Sequence, residues 1–509
     1  MKASSRVIFN TGVQYARTFI GACIALYSSR IILKSLGASD YGIYNLVAGV
    51  VTFIGFINLA LSSTTQRYLS FYHGKNNEKL QAKIFTNSVI IQFVVGLVLA
   101  LTMFSLTPLI FHKLLNIPTD RMAAAIAVYY SMIAVVFFSL ITVPYTATLI
   151  AHENILFSSI VQIVESILKL IVALSLLFIL KDRLIYYGIM MAAIIVIDFF
   201  AYTIYCRKHY KECRHISLKL FDKKLLKEIF YFSGWMIYSA VCIVGRTQGI
   251  AVIFNRFFGT LINAAYGIAQ QLSGQAAFVS SSLLNAIRPQ IIKAEGGLNR
   301  ERMLRLAEIA SKFSFLLLAM VVIPAVFEMK TILSIWLAEV PAHAIVFSQI
   351  MLLSILMDQL TVGLAFANQA IGNVKKYSFA INTIKLAAFP LAYLSLKFNG
   401  SPTSAMMCLL LVETLSSILR LFFLRNVEGL QISSFVKKVF LLEIFPVASI
   451  VATSWFCHNV FPYYLFWISF LVSIIVLCSA TYYTGLCDDE KVIINEVLLK
   501  IKRRFAKTR

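Results

Sequence analysis

The sequence predicts an all-α polytopic membrane protein with about fourteen transmembrane helices. Of its 509 residues 59% are hydrophobic and only 14% are charged, whereas soluble domains carry about 25% charged residues. Nearly the whole chain falls into apolar stretches of about 20 or more residues, the length that crosses a hydrocarbon layer of roughly 30 Å. An internal duplication further predicts two six-helix lobes related by a pseudo-two-fold axis along the membrane normal, plus two extra C-terminal helices.

The duplication joins the region from 36 to 74 to a second copy some 222 positions later. LGASDYGIYNL and TTQRYLSFYHG in the first copy correspond to FGTLINAAYGI and NAIRPQIIKAEG in the second. The matched pairs are Gly37 with Gly259, Gly42 with Gly267, Arg67 with Arg288, and Gly74 with Gly296. Self-similarity at nearly one offset is typical of repeat architectures. The copies start an even number of helices apart, so both halves enter the membrane in the same direction.

The fourteen predicted spans are numbered in chain order. They cover 8–33, 41–66, 84–110, 122–150, 157–180, 184–205, 231–255, 262–287, 307–327, 344–371, 378–396, 403–424, 439–457 and 463–484. The first span contains Arg17, so we expect a retained helix and not a cleaved signal peptide.

The distribution of basic residues predicts the orientation. With both termini in the cytoplasm, the cytoplasmic loops and tails contain 31 Lys and Arg and the opposite loops contain 8. Cytoplasmic loops are the ones enriched in Lys and Arg. The net charge of +23 therefore indicates topology and not nucleic-acid binding. The expected organisation is an N-lobe (1–205), a basic cytoplasmic linker (206–230), a C-lobe (231–425), appended spans 13 and 14 (426–484), and a basic cytoplasmic tail (485–509). The tail is either an interfacial helix on anionic lipid or a solvated helix.

Span 1 carries a polar face within the bilayer. Its members are Asn10, Gln14, Arg17, Gly21 and Ser28, at helical spacing. Arg17 lies about 14 Å into the span at 1.5 Å per residue. A charge at that depth costs at least about 2.5–3.5 kcal/mol, so the guanidinium should line a cavity or pair with Glu165 or Asp198 to hold helices together. We favour the cavity.

Spans 2, 7 and 8 extend this polar character. Arg246 is the central cation expected in span 7, and span 2 contributes a weaker polar face that includes Asn45. Span 8 carries Gln270, Gln271 and Gln275 among other small and amide residues. Such residues also serve helix packing, but this many amides exceed what packing requires. The four spans are equivalent pairs in the two lobes, and we expect them to line one cleft that attracts an anion.

Intramembrane carboxylates are the candidates for proton or sodium coupling. Glu165 stands four residues before Lys169, and the two can neutralise each other. Asp198 and Asp358 have no such local partner, which makes them the better coupling candidates. On the helical wheel Arg30 lies on a different face from Arg17 and near the outer end, where its side chain can reach water.

One loop contains Cys206, His209, Cys213 and His215. The spacing is unusual for zinc, so we expect a solvated basic loop and no metal site. The sequence also contains no nucleotide-binding fingerprint, and we expect no cofactor.

The stretches SSRIILKSLGASDYGIYNL and TTQRYLSFYHGK, with fourteen spans arranged as two lobes plus two, resemble the polysaccharide-biosynthesis flippases of the bacterial O-antigen type. This family lies in the MOP superfamily, which also holds MATE multidrug antiporters and the lipid II flippase. The resemblance covers essentially the whole chain. It places Arg30 within the matching motif and so adds Arg30 to the expected substrate-binding residues.

The resemblance implies a function in lipopolysaccharide, capsule or exopolysaccharide biosynthesis. The protein would move an undecaprenyl-diphosphate-linked oligosaccharide from the cytoplasmic to the periplasmic leaflet of the bacterial inner membrane. The resemblance further implies alternating access, a cationic cavity, an H⁺ or Na⁺ gradient that drives transport, and contact with a glycan polymerase or glycosyltransferases. Because the repeat supplies both halves of a cleft, we expect a monomer to suffice.

Three rivals remain. A MATE-like multidrug or cation antiporter predicts carboxylates in spans 1, 2, 7 and 8, where this chain carries Arg17, Arg30 and Arg246. A membrane enzyme of the same glycan pathway predicts an HxxxxD motif or a large outer loop, and neither is present in the sequence. A passive channel fits a two-lobed repeat less well than a rocking transporter does.

Overall fold

The structure is a computed structural model, and it describes residues 3–52, 55–111, 119–179, 182–214, 216, 220–337, 340–398, 400–428, 430–460 and 465–492. Every regular element in these ranges is helical. Most of the predicted basic tail, from 493 to 509, lies outside the described residues, as does His215. Asn45 is described only as helical backbone.

The α-helices are labelled in chain order. They are α1 (Ala3–Thr52), α2 (Gly55–Gly74), α3 (Glu78–Leu109), α4 (Met122–Ala151), α5 (Ile155–Ser175), α6 (Arg183–His209), α7 (Lys223–Gly296), α8 (Arg300–Phe327), α9 (Met329–Trp336), α10 (Ala344–Gln359), α11 (Val362–Ile371), α12 (Val374–Tyr377), α13 (Thr383–Leu386), α14 (Ala388–Lys397), α15 (Pro402–Glu428), α16 (Ile432–Phe435), α17 (Leu442–Val460) and α18 (Phe466–Ala480). Single π-helical turns at 378–382, 436–441 and 481–485 continue α12, α16 and α18.

The multi-pass helical membrane fold is confirmed. Eleven helices of the described ranges are long and apolar enough to span a membrane, or twelve when α10 and α11, bent by 45° at a short break, count as one span. The predicted number of fourteen is not confirmed. The predicted spans 2 and 8 are missing from this set. Span 2 includes residues 53 and 54, which lie outside the described residues, and span 8 carries a polar stripe that lowers its mean hydropathy.

The two copies of the duplicated region share their backbone conformation. Helices α1 and α7 are each broken by a glycine with a left-handed φ, Gly37 at φ 78° and ψ 166° and Gly259 at φ 77° and ψ −164°. Asn77 and Asn299 then begin the next helices, and each side chain accepts a backbone N–H three residues on at 3.0 Å. The residue before each cap, Asn76 or Leu298, also has positive φ. Breaks and caps thus recur at one offset of 222.

We expect Gly37→Ala and Gly259→Ala each to lower the free energy of unfolding by about 1–3 kcal/mol. These φ and ψ values belong to a region that only glycine occupies without strain. Gly267→Ala is the matched control, because an added Cβ there meets nothing within 4 Å and the backbone is helical. Thermal unfolding in detergent measures all three. Equal melting temperatures for Gly259→Ala and Gly267→Ala would contradict the strain argument.

The first compact unit comprises residues 9–240 and 296–298. Within it α4 packs against α2, α3 and α6. Arg121, just before α4, joins two carboxylates that are distant in sequence: its Nε donates to Asp40 Oδ1 at 2.9 Å and its Nη1 to Asp182 Oδ2 at 2.8 Å. Asp182 also caps α6 by accepting from the backbone N–H of Leu184 at 3.0 Å. This ion-paired arginine fixes the chain close to the Gly37 break.

The second unit comprises residues 1–8, 241–295 and 299–509. Its core contains the fully buried Phe254 and Phe347, stacked with their ring centroids 5.2 Å apart, and Tyr266, which meets Phe254 edge-on at 5.4 Å. Helix α15 packs against α10 and α14, while α8 packs against α11, α17 and α18. The appended helices α17 and α18 therefore belong to this unit.

Candidate functional site

Arg17 lies half-buried in the first unit, on a helical face with the buried Asn10 and Gln14. Its Nη1 donates to Gln162 Oε1 of α5, and its Nη2 donates to Thr18 Oγ1 at 3.2 Å. Among the described residues, these partners are neutral side chains and not the carboxylates weighed from the sequence. The positive charge of Arg17 is thus not cancelled by a direct ion pair of this kind.

Glu165 and Asp198, the two carboxylates considered as partners of Arg17, differ in their own contacts. Glu165 Oε1 accepts from Lys169 Nζ at 2.6 Å, the pairing that their spacing in sequence suggested. Asp198 is buried in α6, and within the described ranges it has no hydrogen bond or ion pair. Asp198 therefore stays a proposed coupling residue. Arg30 is exposed.

In the second unit, Arg246 belongs to a cluster of five charged side chains drawn from four helices. Arg246 Nη1 donates to Glu413 Oε1, and Lys385 Nζ lies 2.8 Å from Glu413 Oε2. Lys385 Nζ also donates to Asp358 Oδ1 at 2.6 Å, and Arg420 Nη2 donates to the same oxygen at 2.7 Å. We call these residues the five-charge cluster: Arg246, Asp358, Lys385, Glu413 and Arg420.

The cluster carries a surplus of positive charge. Three cations face two carboxylates, and the side chains of Lys385, Glu413 and Arg420 are each less than a tenth exposed. The Nε atoms of Arg246 and Arg420 are buried and lack hydrogen-bond partners in the described part of the chain. Surplus charge and unused guanidinium N–H groups at one place favour an anionic ligand.

The cluster gives Asp358 partners that the sequence did not reveal. Asp358 has no local partner in the sequence, and in the structure two distant cations bind it, Lys385 of α13 and Arg420 of α15. Sequence reasoning did not name Arg420 as a candidate site residue, and it left Lys385 and Glu413 without roles. The only available signal was that all of these charges lie inside apolar spans, where charges are costly.

The glutamines of the predicted span 8 differ in exposure. Gln270 is half-buried, whereas Gln271 and Gln275 are exposed. Near Gln270, Tyr266 Oη donates to the backbone oxygen of Thr247 at 3.2 Å, which connects the two arms of α7 on either side of Gly259. Gln275 lines an otherwise apolar cavity of about 250 Å³ together with Leu272 and Phe470 among others. The structure therefore does not collect the three glutamines into one polar site.

The repeat-related arginines Arg67 and Arg288 are further candidates that the site prediction left out. Arg67 is buried, with its guanidinium over the rings of Tyr68, Phe71 and Phe232 at 4.7–5.2 Å. Arg288 Nη2 donates to Gln369 at 2.8 Å, and its guanidinium carbon lies 5.4 Å from the ring centroid of Phe366. Their matched positions in the duplication were the signal that could have found them.

The Cys and His residues of the basic loop differ in burial in the described structure. Cys206 and Cys213 are buried, whereas His209 is exposed and stacks on Tyr205 at 4.1 Å. The described ranges contain no group of three His, Cys, Asp or Glu suited to a metal ion.

Glu212 in this loop binds His152 Nε2 at 2.6 Å. Burial acts to raise the pKa of Glu212, but the hydrogen bond and charge of His152 outweigh it, so the pKa lies below its ordinary value. Burial likewise raises the pKa of Tyr210, which stacks on His152, to about 12. The contact joins the end of α4 to the loop after α6.

A family model described as polysaccharide biosynthesis protein matches residues 3–294. The chain belongs to the polysaccharide biosynthesis protein family. The matched residues include Arg17, Arg30, Arg246 and the duplicated region up to residue 294, two residues before the end of its second copy. A search of curated proteins gives no match.

The structure of this polysaccharide biosynthesis protein is similar to those of several transporters. A MATE in complex with MaD3S aligns with a TM-score of 0.72 at 14% identity over 86% of this chain and 98% of the other. A MOP superfamily transporter from Pyrococcus furiosus, for which the reverse polarity of the binding pocket suggests a different function, gives 0.71 at 13% over 86% and 97%. An outward-facing multidrug resistance MATE transporter gives 0.70 at 13% over the same shares. At these identities the likeness shows the fold alone.

Proposed function

We propose that the protein is a flippase that moves an undecaprenyl-diphosphate-linked oligosaccharide from the cytoplasmic to the periplasmic leaflet of the bacterial inner membrane. The observation that carries this proposal is the surplus positive charge of the five-charge cluster. A diphosphate presents several anionic oxygens, which planar guanidinium groups bind in pairs. Membership of the polysaccharide biosynthesis family supports a lipid-linked glycan as the source of that diphosphate.

Arg17 is the proposed cation of the first unit. Its partners in the described structure are an amide and a hydroxyl, so it can exchange them for phosphate oxygens without leaving a carboxylate unpaired. Glu413 and Asp358 hold the second unit's cations in place, and Arg246 supplies the surplus charge. Gln14, Arg30, Asn45 and the span 8 glutamines Gln270, Gln271 and Gln275 complete the proposed binding set.

The mechanism we propose is alternating access between the lobes predicted from the sequence, 1–205 and 231–425, with both termini in the cytoplasm. Binding uses ion pairs and hydrogen bonds, and no bond of the substrate is made or broken. Asp198, Glu165 and Asp358 are the residues proposed to couple transport to an H⁺ or Na⁺ gradient. Of these, Asp198 is the residue whose buried carboxyl has no ion pair among the described residues.

A second candidate function is MATE-like multidrug or cation antiport on the same fold. The buried Asp198 favours it, because an intramembrane carboxyl without a cationic partner can bind a proton or a cationic substrate. For the Pyrococcus furiosus transporter of similar fold, the reverse polarity of the binding pocket suggests a different function, which is compatible with an anion-binding site in this chain.

The two functions are separated by one transport experiment. Proteoliposomes containing the wild-type protein are given a fluorescent undecaprenyl-diphosphate oligosaccharide or a cationic dye, with protein-free liposomes as the control. We expect the lipid to change leaflets and the dye to stay. Export of the dye with no movement of the lipid would reject the flippase and establish the antiporter.

A further inference from the structure

Glu443 in the first turn of α17 has a buried acidic side chain that the proposed transport mechanism does not use. The residue is 3% exposed. Within the described ranges, neither of its carboxyl oxygens has a hydrogen-bond partner. An ionised carboxylate buried in this way would cost several kcal/mol. The group is therefore held as the neutral acid, with its proton attached.

The cation next to Glu443 is already bound to another carboxylate. Lys312 Nζ of α8 donates to Glu490 Oε2 at 2.6 Å, and the two side chains are 1% and 2% exposed. Glu490 lies in the segment after α18, and it also accepts from Arg305 Nη2 at 3.0 Å and from the backbone N–H of Cys487 at 2.9 Å. Lys312 and Glu490 are the ionisable groups that act electrostatically on Glu443.

The remaining charges around this site are matched with one another. Arg305 Nη1 lies 3.1 Å from Glu308 Oε2, and its Nη2 lies 2.8 Å from Asp489 Oδ2. Lys438, in the π turn before α17, directs its Nζ to Glu308 at 3.9 Å. In the described structure, these ion pairs join α8 to the π turn and to the segment after α18. Glu443 takes part in none of them.

We propose that Glu443 is a proton-binding site whose protonation is linked to docking of the segment Leu486–Val492 on α8. A proton fits better than a metal cation, because the neighbouring Lys312 ammonium repels cations and a sodium ion needs a cage of several oxygens. The site lies on an appended helix, outside the repeated lobes, and does not depend on which substrate the protein moves.

The linkage follows from competition for one ammonium group. While Glu490 is docked, it holds Lys312, and Glu443 keeps its proton. When the segment separates, Glu490 becomes hydrated as a carboxylate and Lys312 turns to Glu443. The O–H bond of Glu443 then breaks, its proton passes to water, and the new carboxylate pairs with the unchanged ammonium. One proton is released for each undocking.

Infrared difference spectroscopy of the full-length protein tests the site without any transport assay. We expect the spectrum of wild type minus Glu443→Gln to contain the C=O stretch of a protonated carboxylic acid that shifts in D₂O. Glutamine has the size and neutrality of the protonated acid, so the variant should fold. A difference spectrum with carboxylate bands instead would show Glu443 ionised and overturn the proposal.

Two further variants test the linkage. Glu490→Gln should lose the same acid band although Glu443 is present, because the freed Lys312 ionises it. Lys312→Met should keep the band, because no cation remains to stabilise a Glu443 carboxylate. If the acid band persists in Glu490→Gln, Lys312 does not pair with Glu443 when Glu490 is lost, and the proposed linkage is wrong.

Titration of the wild-type protein is a measurement that needs no variant. Alkaline pH should remove the acid band, and a band that is absent at every pH would also reject the site.

Discussion

Asp358→Asn is expected to lower the free energy of unfolding by about 3–5 kcal/mol, the cost of breaking a buried ion pair by removing one partner. The Asp358 carboxylate compensates both Lys385 and Arg420, whose side chains are 9% and 6% exposed. Asparagine retains the shape but not the charge, so the three cations of the cluster are left with the single carboxylate of Glu413. Equilibrium unfolding of the purified protein in mixed micelles measures the difference.

Glu165→Gln is the matched control for Asp358→Asn. It also removes one carboxylate from an intramembrane ion pair, but Glu165 and Lys169 are neighbours on one helix and their side chains are 22% and 38% exposed. Pairs of this kind contribute only about 0.3–0.5 kcal/mol. Similar losses for the two variants would mean that the five-charge cluster is not an interdependent unit.

Arg17→Ala and Arg246→Met should each slow flipping of the lipid-linked oligosaccharide about 10- to 150-fold. This range corresponds to losing a hydrogen bond to a charged group, worth roughly 1.5–3 kcal/mol. Arg246→Met should leave stability nearly unchanged, because the cluster then holds two cations and two carboxylates. The proteoliposome assay at subsaturating lipid measures the rates, normalised to the amount of folded protein.

Arg256→Ala provides the matched control, since Arg256 is an exposed arginine of the same helix as Arg246. We expect its flipping rate to equal that of the wild type. If Arg246→Met unfolds as readily as Asp358→Asn, Arg246 serves the structure and not the substrate. If flipping survives in both Arg17→Ala and Arg246→Met, the substrate lies elsewhere, and the repeat-related Arg67 and Arg288 become the next residues to test.

The sequence was sufficient for the class of fold and for the position of the repeat. Long apolar stretches require helices in a membrane, and one glycine pair matched in the duplication, Gly37 and Gly259, proved to be the points where α1 and α7 break. The Glu165–Lys169 pair followed from spacing on one helix. Such features depend on residues near each other in the chain, where helical geometry alone fixes the distances.

The ion pairs between helices could not be predicted in the same way. Arg246 and Glu413 are 167 positions apart, and Arg420 and Asp358 are 62 apart. A helical wheel gives the face on which a charge lies, but not how the helix is rotated against its neighbours. The sequence therefore identified Asp358 and Arg246 as unusual but left them unpaired, and Arg420 passed unnoticed near the end of an apolar span.

The five-charge cluster also constrains how the protein is made. Asp358 and Lys385 leave the ribosome before α15, which supplies both Glu413 and Arg420. A single charge at the middle of a lone helix opposes its partition into lipid. The helices that carry Asp358 and Lys385 are therefore expected to wait in the insertion machinery until α15 emerges, so that the last third of the chain enters the membrane as a cooperative group and not one helix at a time.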